Sequence, residues 1–228
     1  RSQLDKALES KFISKVGVQG RPGVVISSRL DEKKNIVGVI KAYIENKVLR
    51  NKADVILCIR GIECPERDIS NLSGPEQQVL KEILDLLETA GIRDCVYFLN
   101  IGSQLELAAT YRFFAQRGSV FALTSLYEPF GLAPIEAAAS GLAPVVTENG
   151  GPSEIFADGS GILVDPFSSI SISKGLLDGL SRYNELSKAA MKRVKEFYTW
   201  ERTAARYLSV IKDSLDAKDL HSNAEMPV

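Results

Sequence analysis

Short, β-rich apolar runs alternate with helical patterns through most of this 228-residue chain, and that alternation limits the fold more than any other feature. "GVVISS" (23–28), "ADVILCI" (53–59), "CVYFL" (95–99), "SVFALTS" (119–125), "APVVT" (143–147) and "GILVD" (161–165) read as strands. Between them lie helical patterns, among them "NIVGVIKAYIENKVL" (35–49) and "PEQQVLKEILDLLETAG", with Pro75 in a first-turn position and Gly91 as a stop. Further helices are expected around 103–116 and from about Pro134. The strand runs are apolar throughout instead of alternating, as strands buried on both faces require. Strands separated by helices predict an α/β fold, a Rossmann-like parallel sheet flanked by helices. Residues 168–213 read as all-helical, broken only at Tyr183-Asn184. The expected organisation is a lead-in segment at 1–20, a binding domain at 21–213 and a disordered polar tail at 214–228. No initiator Met opens the chain, so a piece of a longer protein is expected.

Composition removes several function classes. A formal net charge of −1 offers no basic footprint for nucleic acid. No apolar run approaches the length that spans a bilayer, so no membrane span is expected. Three cysteines cannot all pair within one chain, and Cys58 and Cys95 lie in or beside apolar runs, which predicts reduced thiols and a cytoplasmic protein. No Cys/His set suits a structural metal, and no cofactor is required; Mg2+ is compatible but not called for. The single histidine, His221, sits in the polar C-terminal stretch. Catalysis that needs an imidazole must take it from elsewhere.

Parallel sheets bind ligands outside the carboxyl ends of their strands. The first strand delivers Arg29 and Lys34 there, the third "NIGSQ", the fourth "TSLYEPFGL" and the fifth "TENGGPSE". Two cations, two carboxylates and the Gly150-Gly151 turn thus converge on one edge. Within "SLYEPFGLAPIEAAASG" a single helix is ruled against by Pro129, Gly131 and Pro134. Glu128 is expected to end the strand, Phe130 and Gly131 to turn, and a helix to start near Leu132–Pro134. Glu136 would then lie in the first helical turn, where the helix dipole favours a carboxylate. The amides of Gly131, Leu132 and Ala133 would form an anion pocket, with Arg29 and Lys34 as countercharge. Such a site suits a phosphate-bearing ligand whose hydroxyls donate to two carboxylates, which describes a nucleotide sugar.

Other chemistries fit worse. "GVQGRPG" precedes a strand instead of following one, so it is not a dinucleotide fingerprint, and no P-loop lysine motif occurs. A Ser-His-Asp constellation is implausible with the histidine in the tail. A glycosidase acid pair would need an open cleft with no phosphate clamp. The charges of "RDISNLSGPEQQ" read as solvated.

"RLDEKKN", "YEPFGLAPIE" and "NGGPSE" together resemble the C-terminal, donor-binding half of retaining glycosyltransferases with the GT-B fold and the E-x7-E motif. The likeness covers residues 20 to 212 and looks strongest toward the bacterial sucrose-phosphate synthase branch. It implies a hexosyltransferase using UDP-glucose and fructose 6-phosphate, with GDP-mannose or ADP-glucose enzymes, or a non-catalytic nucleotide-sugar-binding module, as alternatives. By this resemblance Arg29 and Lys34 hold the donor diphosphate, Glu136 the ribose, and Glu128 lies near the hexose. The backbone of Phe130, Gly131 and Leu132 touches sugar and phosphate, and the loop at Ile101 meets the base. The last helix resembles one that crosses back to an N-terminal acceptor domain. That domain, which supplies a catalytic histidine in the family, is absent from these residues, so the chain alone is expected to transfer little.

Overall fold

Every apolar run forms a strand, and the intervening patterns form helices. In chain order these are β1 (Gly23–Ser27), α1 (Ile36–Glu45), α2 (Lys47–Lys52), β2 (Asp54–Cys58), α3 (Pro65–Asp68), α4 (Gly74–Ala90), β3 (Val96–Leu99) and α5 (Gln104–Ala115). They continue with β4 (Val120–Leu123), α6 (Leu132–Ala139), β5 (Ala143–Thr147), α7 (Gly151–Ile155), β6 (Ile162–Val164), α8 (Ser169–Ser181), α9 (Tyr183–Phe197) and α10 (Trp200–Ala224). This computed structural model describes residues 9–10, 12–15 and 20–224, with backbone alone for 216–224. The chain divides into two compact units, Arg1–Met191 and Lys192–Val228.

The first unit carries one six-stranded sheet in the order β3-β2-β1-β4-β5-β6, parallel at every pairing. Chain direction across the sheet reverses between β1 and β4, and at such a switch point the loops leaving adjacent strands diverge and open a crevice. Strand side chains alternate between faces. Val24, Ile26, Val55, Leu57, Val120 and Ala122 pack with Ile40 of α1, Ile83 of α4 and Leu176 of α8. On the other face Phe121 meets Tyr111 of α5 edge-on at 5.5 Å, and Phe113 and Phe114 enclose Phe12 from the lead-in segment. Burial on both faces is why the strands read as unbroken apolar runs.

Helix boundaries follow local chemistry. α4 starts in a capping box, with Glu76 Oε2 accepting from the Ser73 amide at 3.1 Å and the Ser73 hydroxyl at 2.6 Å. It ends at Gly91 in the left-handed region. The helix expected over 35–49 is instead two, because Asn46 turns extended and its side chain accepts from the Leu49 amide, restarting the helix as α2. Further on, the break falls at Arg182, and α9 begins at Tyr183. The tail expected to be disordered from 214 is helical through Ala224, since "DSLDAKDLHSNA" contains neither proline nor glycine to stop α10. Most of the lead-in at 1–20 and residues 225–228 lie outside the described residues.

Candidate functional site

Four loops meet at the carboxyl edge of the sheet, and two asparagines join them. Asn35, which caps the 3₁₀ turn at Glu32–Lys34, adopts φ 54°, one of the few conformations in which asparagine replaces glycine readily. Its side-chain amide donates to Thr124 O at 3.0 Å and Pro166 O at 2.8 Å, tying the β1 loop to those after β4 and β6. Asn149 donates to Leu126 O at 3.1 Å, tying the β5 loop to the β4 loop. The Leu126 amide also donates to Lys33 O at 2.9 Å.

Gly150 and Gly151 serve this scaffold. Glu128 and Gly150 form a parallel bridge, with the Glu128 amide donating to Asn149 O and the Gly151 amide to Glu128 O. A Cβ on Gly150 would lie 2.2 Å from Glu128 O, and one on Gly151 2.5 Å from Phe130 O. Backbone cannot yield to such contacts, so only glycine lets the two loops touch. The Gly151 amide is therefore already used within the protein.

The β4 loop turns at Gly131, φ 84°, and α6 starts at Leu132. The amides of Leu132 and Ala133 form no backbone bond in the described residues, as expected of a helix start. Phe130 and Leu132 are exposed beside them. Glu128 is pinned by backbone on both sides, and its carboxylate bridges Lys34 Nζ at 2.7 Å and the Gly131 amide at 3.4 Å. Glu136 is the fifth residue of α6, so it occupies the second turn and not the first, because the helix begins at Leu132 without a proline lead. One side of Glu136 stays open to water; the packed protein on the other disfavours its charge and raises its pKa.

At the carboxyl ends of β1, β2 and β3 lies a cleft of about 580 Å³ lined by Ser27, Arg29, Arg60, Glu76, Ile101 and Gly102. Arg29 and Ile101 therefore share one cavity. Glu76 and Arg60 were not anticipated. Arg60 follows β2, whose carboxyl end lies on the same edge of the sheet as those of the other strands. Glu76 had a signal in the Ser-x-x-Glu capping pattern; Ser73, and at longer range Arg29, hold its carboxyl below the usual range. Asp68, expected to be solvated, is buried: it accepts from Arg67 Nε and from the Glu63 and Cys64 amides, all at 2.8 Å. Those donors pull its pKa down to about 2. Behind the cleft the buried hydroxyl of Tyr111 faces Ser27, and burial raises its pKa. Among the described residues no group of three or more His, Cys, Asp or Glu could hold a metal ion, and no helix is long and apolar enough to cross a membrane.

These features define a Rossmann-like domain: an open parallel sheet whose loops after β1 and β4 meet at its switch point. The chain belongs to the glycosyl transferases group 1 family, whose model matches residues 9–197. It is 40% identical over 190 residues to a probable sucrose-phosphate synthase of Thermosipho melanesiensis, covering 83% of this chain and 41% of that protein. Its fold matches the sucrose-phosphate synthase of Thermosynechococcus elongatus at a TM-score of 0.70 and 21% identity, over 91% of this chain and 49% of that one. It likewise matches HepE of Anabaena, solved in complex with UDP and glucose, at a TM-score of 0.64 and 21% identity, over 97% and 53% of the two chains. The fold is thus that of a GT-B half-molecule, and the chain spans less than half the length of the Thermosipho relative.

Proposed function

We propose that the carboxyl edge of the sheet holds a nucleotide sugar and that the chain is the donor-binding part of a retaining hexosyltransferase, with UDP-glucose as donor and fructose 6-phosphate as acceptor. The observation that carries this reading is the contact of Lys34 with Glu128 at the start of α6, between the loops after β1 and β4. The Lys34 ammonium and the Gly131 amide already grip a carboxylate at 2.7 and 3.4 Å, at the start of α6. The names of the relatives support the choice of sugar and acceptor, and the HepE complex supports UDP.

In this reading the diphosphate lies against Lys34, Arg29 and the α6 amides, the ribose hydroxyls donate to Glu136, and the base enters the cleft at Ile101. Glu128 faces the hexose. Transfer breaks the bond between the hexose anomeric carbon and the diphosphate oxygen, and forms one to the acceptor hydroxyl on the same face. The acceptor proton passes to the departing diphosphate. Negative charge grows on that leaving group, so the transition state gains most from cations already in place. Arg29 supplies a planar fork and Lys34 a point charge.

The acceptor would be held by an N-terminal domain of a longer protein. The Thermosipho relative is more than twice as long as the matched region. In the second unit α10 also exposes Trp200, Tyr207, Leu208 and Ile211, an apolar surface suited to such a domain. Three free thiols suit a reducing, cytoplasmic setting.

Calorimetric titration of the chain with UDP, GDP and ADP tests the reading. UDP is expected to bind best; tighter GDP or ADP would reassign the donor, and binding of none would sink the donor-site assignment.

A further inference from the structure

Lys34 and Glu128 belong, in the proposed function, to different parts of the donor, yet in this structure they hold each other. The contact is 2.7 Å between Lys34 Nζ and Glu128 Oε2, and the two side chains are only 25% and 13% exposed. The other carboxylate oxygen, Oε1, accepts from the Gly131 amide at 3.4 Å. One carboxylate thus bridges the two groups a phosphate would use, a cation and an amide at the start of α6. We infer that Glu128 is a tethered counterion that occupies the phosphate position and must leave it when a diphosphate enters. This rests on the donor-site reading and deepens it.

The geometry favours exchange by side-chain rotation. The Glu128 backbone is bonded on both sides, its amide to Asn149 O at 3.1 Å and its carbonyl to the Gly151 amide at 2.9 Å. The Lys34 loop is bonded to the same segment through the Leu126 amide and Lys33 O. Neither backbone needs to move. A phosphate brings more negative charge and more acceptor oxygens than a carboxylate, so it outcompetes Glu128 for Lys34 and the amide. The displaced carboxylate, still tethered, turns toward the space beside the phosphate, where the hexose is attached. Phosphate entry and presentation of Glu128 to the sugar become one event. A free hexose, with no phosphate to displace the carboxylate, does not trigger it.

The role has a sign that an ordinary binding residue lacks: removing the charge of Glu128 should tighten diphosphate binding. The test is calorimetry on the wild-type chain and on Glu128→Gln, Glu128→Ala, Lys34→Met and the Lys34→Met/Glu128→Gln pair, with thermal melts to confirm folding. UDP is compared with uridine; should GDP or ADP bind the wild type better, that diphosphate and its nucleoside replace them. Glu128→Gln is expected to bind the diphosphate about fivefold more tightly, with nucleoside affinity unchanged. Glu128→Ala should move the same way, and the gain should vanish in the Lys34→Met background. Unchanged or weaker diphosphate binding in the folded Glu128 variants would mean that the ion pair only stiffens the loop or aids the ligand, and would overturn the inference. So would a gain shared by the nucleoside, or one that survives loss of Lys34. A wild-type chain that binds none of the three diphosphates overturns the donor-site reading and this inference together; binding without the gain overturns this inference alone.

Discussion

Arg29 and Lys34 leave the same strand with the same charge, but they stand in different surroundings. Lys34 is paired with Glu128, whereas Arg29 lines a cleft with Ile101 and Glu76. Replacing either by alanine is expected to weaken UDP binding by about tenfold or more, the worth of one charge-assisted hydrogen bond. Uridine should be affected far less; equal losses for both ligands would remove the phosphate assignment. Glu136 gives a pH signature. Burial raises its folded pKa above the unfolded value of roughly 4.3. The folded chain therefore keeps a proton that the unfolded chain releases, and this group's contribution to stability falls as pH rises from the unfolded to the folded pKa. A ribose needs the ionised form as acceptor, so nucleoside affinity should fall as pH drops through the raised pKa. Glu136→Gln should flatten that profile in an NMR titration, and a profile unchanged by the substitution would exclude Glu136 from the ribose.

The elements around the site depend on side chains that bond to loop backbone. Asn35 makes two such bonds and adopts a backbone conformation that alanine disfavours. Asn35→Ala is expected to cost about 2–3 kcal/mol and lower the melting temperature by roughly 4–12 °C; a shift within error would show that the loops hold without it. Asp68 anchors the loop after β2 through three donors, and its pKa of about 2 lies below the unfolded value of about 3.9. The stability it adds is present above the unfolded pKa and is lost as pH falls through about 2. Melts of Asp68→Asn should lie below wild type at neutral pH and converge with it between about pH 4 and 2; a constant gap would refute the mechanism. Little of this was legible beforehand. The capping box at Ser73 and Glu76 is a local pattern and could be read, because both partners lie three residues apart. Asn35 bonds to residues 89 and 131 positions away, and no local pattern encodes such a partner. Asp68 looked solvated for a related reason: its neighbours in sequence are polar, and only the folded loop aims two amides at it.

At the scale of the whole molecule, the chain is expected to bind a nucleotide diphosphate but to release no measurable UDP from UDP-glucose and fructose 6-phosphate. Activity should appear when an acceptor domain is fused in frame at its N-terminus, and turnover by the chain alone would disprove the division of labour. The single histidine, His221, falls in α10, and in the proposed reaction the acceptor proton passes to the departing diphosphate. By itself the sequence determined the strands, their parallel pairing and the sheet edge at which Lys34, Glu128 and the Gly150-Gly151 turn collect. These follow from burial on both faces and from helices between strands, which are properties of neighbouring residues. It also marked the break before α6, since proline and glycine act locally. Only the tertiary structure decided that Glu128 reaches Lys34, 94 residues away, and that Gly150 and Gly151 lie beneath the turn that carries Glu128. Those facts depend on how β1, β4 and β5 come side by side, and hydrogen bonds between distant loops form only once the sheet has set their spacing.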